Sequence, residues 1–287
     1  MRPHREAAVL AAFAFVLALP VVSNGEARFD QALKNGNLAR ESLRASHAFL
    51  IRWMDRRDDG TQLLRGGPRK DRWTVRETAT RLLPQLVLAA HLTGSGDQRR
   101  ALEQTLRQET VLTARLLRLP DDYDLSADRF LYSRSDTERI VSASAEYAAE
   151  GLSAVTGRIG TGPWLGRVRA IVDDIFSLAS LETPFASGPL PSSRAEVNGN
   201  LLRILPGLSV QTGDPGYLEL ARRIGDAYCL GILPANGGVP ASEWSFTAGK
   251  ARNAALSLNG AGYPIVEGLT MLCAIEAGKA SPRAPEY

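Results

Sequence analysis

The chain is poor in the residues that build metal and redox sites. Among 287 residues there are two cysteines, Cys229 and Cys273, and three histidines. Neither cysteine stands in a metal-ligand spacing. His4 falls in an N-terminal leader, while His47 and His91 lie on or beside apolar helix faces, where a histidine hydrogen-bonded in the core is the simpler reading. No metal and no cofactor is expected. Neither a Gly-x-Ser-x-Gly elbow nor a phosphate-binding loop occurs, which speaks against a serine hydrolase of that type and against a P-loop NTPase. Beyond Val22 no long apolar run is present, so no later segment is expected to span a membrane. A net charge of +3 is too small to imply a nucleic-acid partner.

What is present has the composition of a folded protein, 44% hydrophobic and 23% charged. The chain opens with Arg2 and Arg5, an apolar run from Ala7 to Val22, and the small pair Gly25 and Ala27. This pattern reads as a secretory signal peptide over residues 1–27, with an uncleaved anchor helix as the other reading. The run is shorter than the ~20 apolar residues of a spanning helix and contains Pro20. Export would place the mature chain, 28–287, in the periplasm or outside the cell. It would also put the two cysteines where a disulfide can persist; whether they pair stays open.

Apolar residues recur at helical spacing nearly throughout. In the second half Tyr217, Leu220, Ile224 and Tyr228 fall on one face, while Glu219, Arg222, Arg223 and Asp226 fill the other. Asp214 followed by Pro215 fits an N-cap and a first-turn proline. An earlier segment repeats the grammar, with Thr93 to Asp97 turning after the helix built on Ala79, Leu82, Leu86 and Ala90. Read in this way, the chain holds roughly eight helices and no convincing strand. Short turns alternate with long loops at 56–73, 119–130, 183–195 and 236–254, as expected of antiparallel helical hairpins stacked side by side. The long loops should then gather at one end, where function usually resides. No linker divides 28–287, so one all-α domain is expected. The helix on Ile265, Leu269 and Leu272 must pack against the preceding hairpin, whereas GKASPRAPEY beyond Ala277 reads as a disordered tail.

Three stretches carry a family resemblance: Trp73 with ETATRLLPQLVLAAHLTG, AEVNGNLLRILPGLSVQTGDPGYLELARRIGDAYCLGILPANGGVP, and GYPIVEGLTML. Together they resemble the (α/α) toroid, or six-hairpin glycosidase-like, proteins. The resemblance implies an all-α fold of helical hairpins around a central cavity, a carbohydrate ligand, and Asp or Glu as acid and base with aromatic sugar platforms. A complete ring of six two-helix hairpins holds more helices than the eight or so read here, so a partial toroid is implied. No catalytic motif of the family is matched residue by residue, and hydrolases, lyases and epimerases share the architecture.

The candidate catalytic carboxylates are Glu77, Glu196, Glu243 and Glu267, and the candidate sugar-binding residues are Trp73, Asn200, Trp244 and Tyr263. Glu196 and Asn200, at i and i+4, share a helix face beside Arg194, or serve the helix dipole and a loop. Trp73 and Glu77 open an apolar helix; Arg76 and Arg81 are near enough to pair with Glu77 and lower its pKa. Glu243 and Trp244 follow NGG, either as a carbohydrate rim or with the indole as a loop anchor. Glu267, among apolar neighbours, is a cavity carboxylate or a dipole partner. Asp58-Asp59-Gly60 and Asp121-Asp122-Tyr123-Asp124 only loosely resemble calcium-loop fragments and do not match EF-hand spacing. Two functions follow: an exported carbohydrate-active protein that binds or cleaves an oligosaccharide or polysaccharide, or a non-catalytic helical scaffold recognising a peptide or glycan on its concave face.

Overall fold

The computed structural model describes residues 25–66, 71–258 and 262–287. The proposed signal peptide therefore lies outside the described residues except for its last residues, which begin a helix. By contact the chain divides into two units, residues 1–46 and 47–287. In the first, the described residues 25–46 belong to helix α1 (Gly25–Met54) and leave Phe29, Leu33, Leu38 and Leu43 exposed.

The second unit is mostly helical. After the last turns of α1, which bury Leu50 and Met54, come α2 (75–92), α3 (Gly96–Leu112), α4 (137–159), α5 (Pro163–Ser177), α6 (Ala195–Thr212), α7 (216–235) and α8 (Tyr263–Gly278). Three of these contain a π-helical stretch: Val75–Leu82 in α2, Tyr147–Leu152 in α4 and Ala227–Ile232 in α7. Helices α2, α4, α6 and α8 pack one against the next, while α3, α5 and α7 return along α2, α4 and α6 respectively. Each return begins at a tight turn. Gly94 and Gly213 adopt left-handed backbone after α2 and α6, where a side chain would be strained, and Pro163 opens α5. Helix α7 starts at Gly216 with Pro215, not Asp214, as its N-cap residue; Asp214 lies one position earlier and accepts the Gly216 N–H at 2.8 Å, which closes the turn without capping the helix.

Where α6 crosses α8 the backbones nearly touch. A Cβ on Gly199 would fall 2.2 Å from the Ile265 amide nitrogen, and one on Gly268 would fall 2.5 Å from Leu202 Cβ. The matched order of these contacts makes the two helices parallel. At the α2–α4 contact Gly151 plays the same part against the backbone of Thr80, where the two π-helical stretches meet.

The structure corrects the sequence reading in two places. Among the described residues, seven strands of two to four residues form small antiparallel pairings in the loops, too short for a period of two to show in the sequence. Secondly, the C-terminal residues are not a free tail. Tyr287 is packed against the core and donates from its hydroxyl to Asp226 Oδ1 at 2.5 Å, and Arg283 Nε pairs with Asp226 at 3.3 Å. One aromatic ring and one cation are enough to dock the segment, which composition alone had marked as unstructured.

Candidate functional site: a polar groove along α2, α4 and α6

A cavity of ≈ 650 Å³ opens where α2, α4, α6 and the start of α8 converge. It shares Arg76 and Glu196 with a second hollow of ≈ 660 Å³ that runs towards Asp122, Tyr132 and Arg194, so the two form lobes of one groove. Local structure sets the lining. Thr74 accepts the Glu77 N–H and starts α2, which carries Arg76, Thr80 and Arg81 along the groove. Asp136 accepts the Arg139 N–H and starts α4, whose π-helical stretch brings Glu146 and Glu150 to the wall.

The two glutamates have opposite electrostatics. Burial raises the Glu146 pKa, and nearby Glu196 and Glu150 push the same way; Arg76, with Nε 3.1 Å from Oε2, opposes them without prevailing. Burial would also raise Glu150. There, however, hydrogen bonds from Tyr263 and Arg203 outweigh it and hold the carboxyl below its ordinary value. Arg203 is the hub behind this wall: its Nη1 reaches Glu150, the Tyr263 hydroxyl at 3.2 Å and Asn200 Oδ1 at 3.4 Å, and its Nε pairs with Glu267 at 2.6 Å. Asp122, in the second lobe, accepts the Val75 N–H at 2.9 Å, yet burial leaves its pKa raised.

The sequence candidates separate into three groups. Glu196, Asn200 and Tyr263 line the first lobe together, and Glu77 joins Glu196 in the second. Glu77 is exposed and paired with Arg81 at 2.9 Å, the ion pair that the local sequence had suggested. Glu267 reaches the groove only through Arg203. The remaining three do not meet there. Trp73 is 1% exposed and cannot offer a ring to a sugar, because it is packed into the core beneath its strand. Trp244 is likewise buried, its ring anchoring the 236–254 loop to the core, and its backbone N–H donates to Ser193 O at 2.9 Å, just before α6. Glu243 pairs with Arg252 at 3.1 Å on that hairpin.

Glu146 and Glu150 were missed in the sequence. The available signal was a pair of acids four residues apart within IVSASAEYAAEGLSAV, a stretch otherwise small or apolar. Elsewhere, Asp58 holds Thr61 and Arg65, Asp121 pairs with Arg139, and Asp124 caps the turn at Ser126 and Ala127. Among the described residues no group of three His, Cys, Asp or Glu is placed to hold a metal ion, and no helix is long and apolar enough to cross a membrane. Cys229 and Cys273 are both free thiols, and burial pushes Cys229 up to about 11. Comparison with protein-family models, with curated proteins and with solved structures found no match.

Proposed function

We propose that this chain is a partial (α/α) toroid, exported to the periplasm or beyond, that takes an oligosaccharide into the groove and hydrolyses it. The observation that carries the reading is the cavity shared by Glu146 and Glu196: burial, with Glu196 close by, pushes Glu146 towards the protonated form, while Glu196 stands on the same lining with no ion-pair partner among the described residues. Environments that drive a pair of acids apart supply both an acid and a base. Glu146 is the proton donor to the leaving oxygen. Glu196, without an ion-pair partner among the described residues, is the carboxylate that activates water or attacks carbon. Tyr263 and Asn200 border the bound sugar. The four packed helices with their three returns support the toroid part of the reading.

Hydrolysis is favoured over uronate elimination because the arginines of the groove are already engaged. Arg76 holds Glu146, Arg81 holds Glu77, Arg139 holds Asp121 and Arg194 lies 3.7 Å from Glu138. None is left to neutralise a substrate carboxylate. The same pairing also favours a second reading, a groove that recognises a glycan without cleaving it. Glu146→Gln separates them. Under the hydrolase reading it lowers turnover of a cleaved oligosaccharide ~10²–10⁴-fold with affinity retained. Binding by the unaltered protein with no turnover would leave recognition alone.

A further inference from the structure

The groove carries an exposed tyrosine in each lobe. Tyr263 borders the first and Tyr132 the second, and they are 38% and 43% exposed. Each has an arginine guanidinium over its ring: Arg203 lies 5.1 Å from the Tyr263 ring centroid, and Arg139 lies 4.0 Å from that of Tyr132.

Tyr132 is held firmly. Arg139 is in turn clamped by Asp121, a fully buried carboxylate that accepts from both of its terminal nitrogens at 2.7 and 2.9 Å. The chain on either side is tied down as well. The Leu131 N–H donates to Asp122 O at 2.8 Å, and Arg115 Nη2 donates to Ser133 O at 3.0 Å. A planar guanidinium stacked on one face of an aromatic ring fixes its plane and leaves the other face uncovered. The ring is thus a flat apolar surface of set orientation, on the wall of a hollow whose lining is otherwise polar apart from Ala143. One apolar platform ringed by hydrogen-bonding groups complements a pyranose, which has C–H groups on its faces and hydroxyls around its rim.

The place of the ring relative to the acid pair is also set. Arg76 and Glu196 border both lobes, and Arg76 holds Glu146 in the first. Tyr132 therefore lies beyond the acid pair, where it can hold a part of the ligand that does not react.

We infer, building on the glycan reading above, that the second lobe is a sugar-binding subsite with Tyr132 as its stacking platform, and that the ligand is an uncharged oligosaccharide long enough to reach from Glu146 to that ring. One pyranose lays its C–H face on Tyr132 while its rim hydroxyls donate to the carboxylates around it. A uronic acid residue would bring its own negative charge to the same carboxylates, beside arginines that are already engaged.

Calorimetric titration with a β-1,4-linked glucose disaccharide and hexasaccharide tests this, in the Glu146→Gln protein so that bound sugar is not cleaved. The hexasaccharide should bind about tenfold more tightly than the disaccharide, and adding Tyr132→Ala should erase that gain. Tyr132→Phe keeps the ring and should hold the hexasaccharide affinity within about twofold. Proton NMR of the bound hexasaccharide gives a readout that a merely structural residue would not move: the axial protons of one glucose residue should shift upfield in the ring current of Tyr132, equally with phenylalanine and not at all with alanine. Equal affinities for the two oligomers, or hexasaccharide binding and proton shifts that Tyr132→Ala leaves unchanged, overturn the platform while leaving the glycan site standing. Binding of neither oligomer, by this protein or by the unaltered one, overturns both.

Discussion

Glu109 on α3 and Glu146 on α4 are both helical glutamates beside an arginine, and they sit in opposite surroundings. Glu109 is fully buried, with Arg167 of α5 closing on it through two bonds of 2.6 and 3.0 Å, while the third guanidinium nitrogen donates to Arg118 O at 2.7 Å. Every charged group there has its partners and no ligand could enter. Glu146 has one arginine contact, from a side chain that is itself 53% exposed, and faces an open cavity. The lesson is that an ion pair closed on all sides leaves no room for a ligand, whereas one that borders a cavity leaves its carboxylate within reach of one.

The contrast is broken most severely at the closed pair. Arg167→Met strands an uncompensated buried carboxylate and should destabilise the protein by ~3–5 kcal/mol in denaturant titration, while replacing both members by apolar residues of similar volume should recover most of the loss. An intermediate case is Asp226, held by Arg283 and Tyr287 from the C-terminal segment. Removing residues 279–287 takes away a hydrogen bond, a half-exposed ion pair and a packed ring; a loss of ~1–3 kcal/mol, read as a melting point several degrees lower, is expected. An unchanged melting point would return the segment to the status of a tail.

The open carboxylates have the smallest effect on stability and a defined sign. Glu146 has a raised folded pKa, so the folded state binds more protons than the unfolded one between the two values. Its stabilising share is present below the unfolded pKa and is lost as pH rises through the folded one. Glu150, held low, contributes above its unfolded pKa and loses that share as pH falls through the folded value. Glu146→Gln should therefore flatten the decline on the alkaline side of the carboxylate range and leave the acid limb intact. Melting points across pH measure both limbs.

Helix order and the hairpin turns were legible because each depends on residues near in sequence: the apolar stripe of α7, the turn from Thr93 to Asp97 after α2, the proline that follows Asp214. The groove was legible in part. Glu196, Asn200 and Tyr263 announced themselves as polar or aromatic residues at helix starts. Glu146 did not, because what distinguishes it is burial beside Glu196 and Arg76, residues fifty and seventy positions away whose proximity is created only by the packing of α4 between α2 and α6. Trp73 and Trp244 were ambiguous for the converse reason. A tryptophan beside a loop has the same local sequence whether its ring faces solvent or the core, and here the core claims both.

The wide turns in α2, α4 and α7 make these helices tolerant of a change that a regular helix resists. A π-helical turn holds one residue more than an α-helical one, so each stretch amounts to a single residue of slack already absorbed. Taking one residue out of Tyr147–Leu152 could let α4 close as a regular α-helix with its backbone bonds intact. Everything from Ser153 onward would then keep its phase against everything before it, whereas the same deletion from a regular α-helix would turn the second half by ~100°. The length of α4 between its groove-lining half and its last turns is thus free to change by one residue at this stretch while both halves keep their faces.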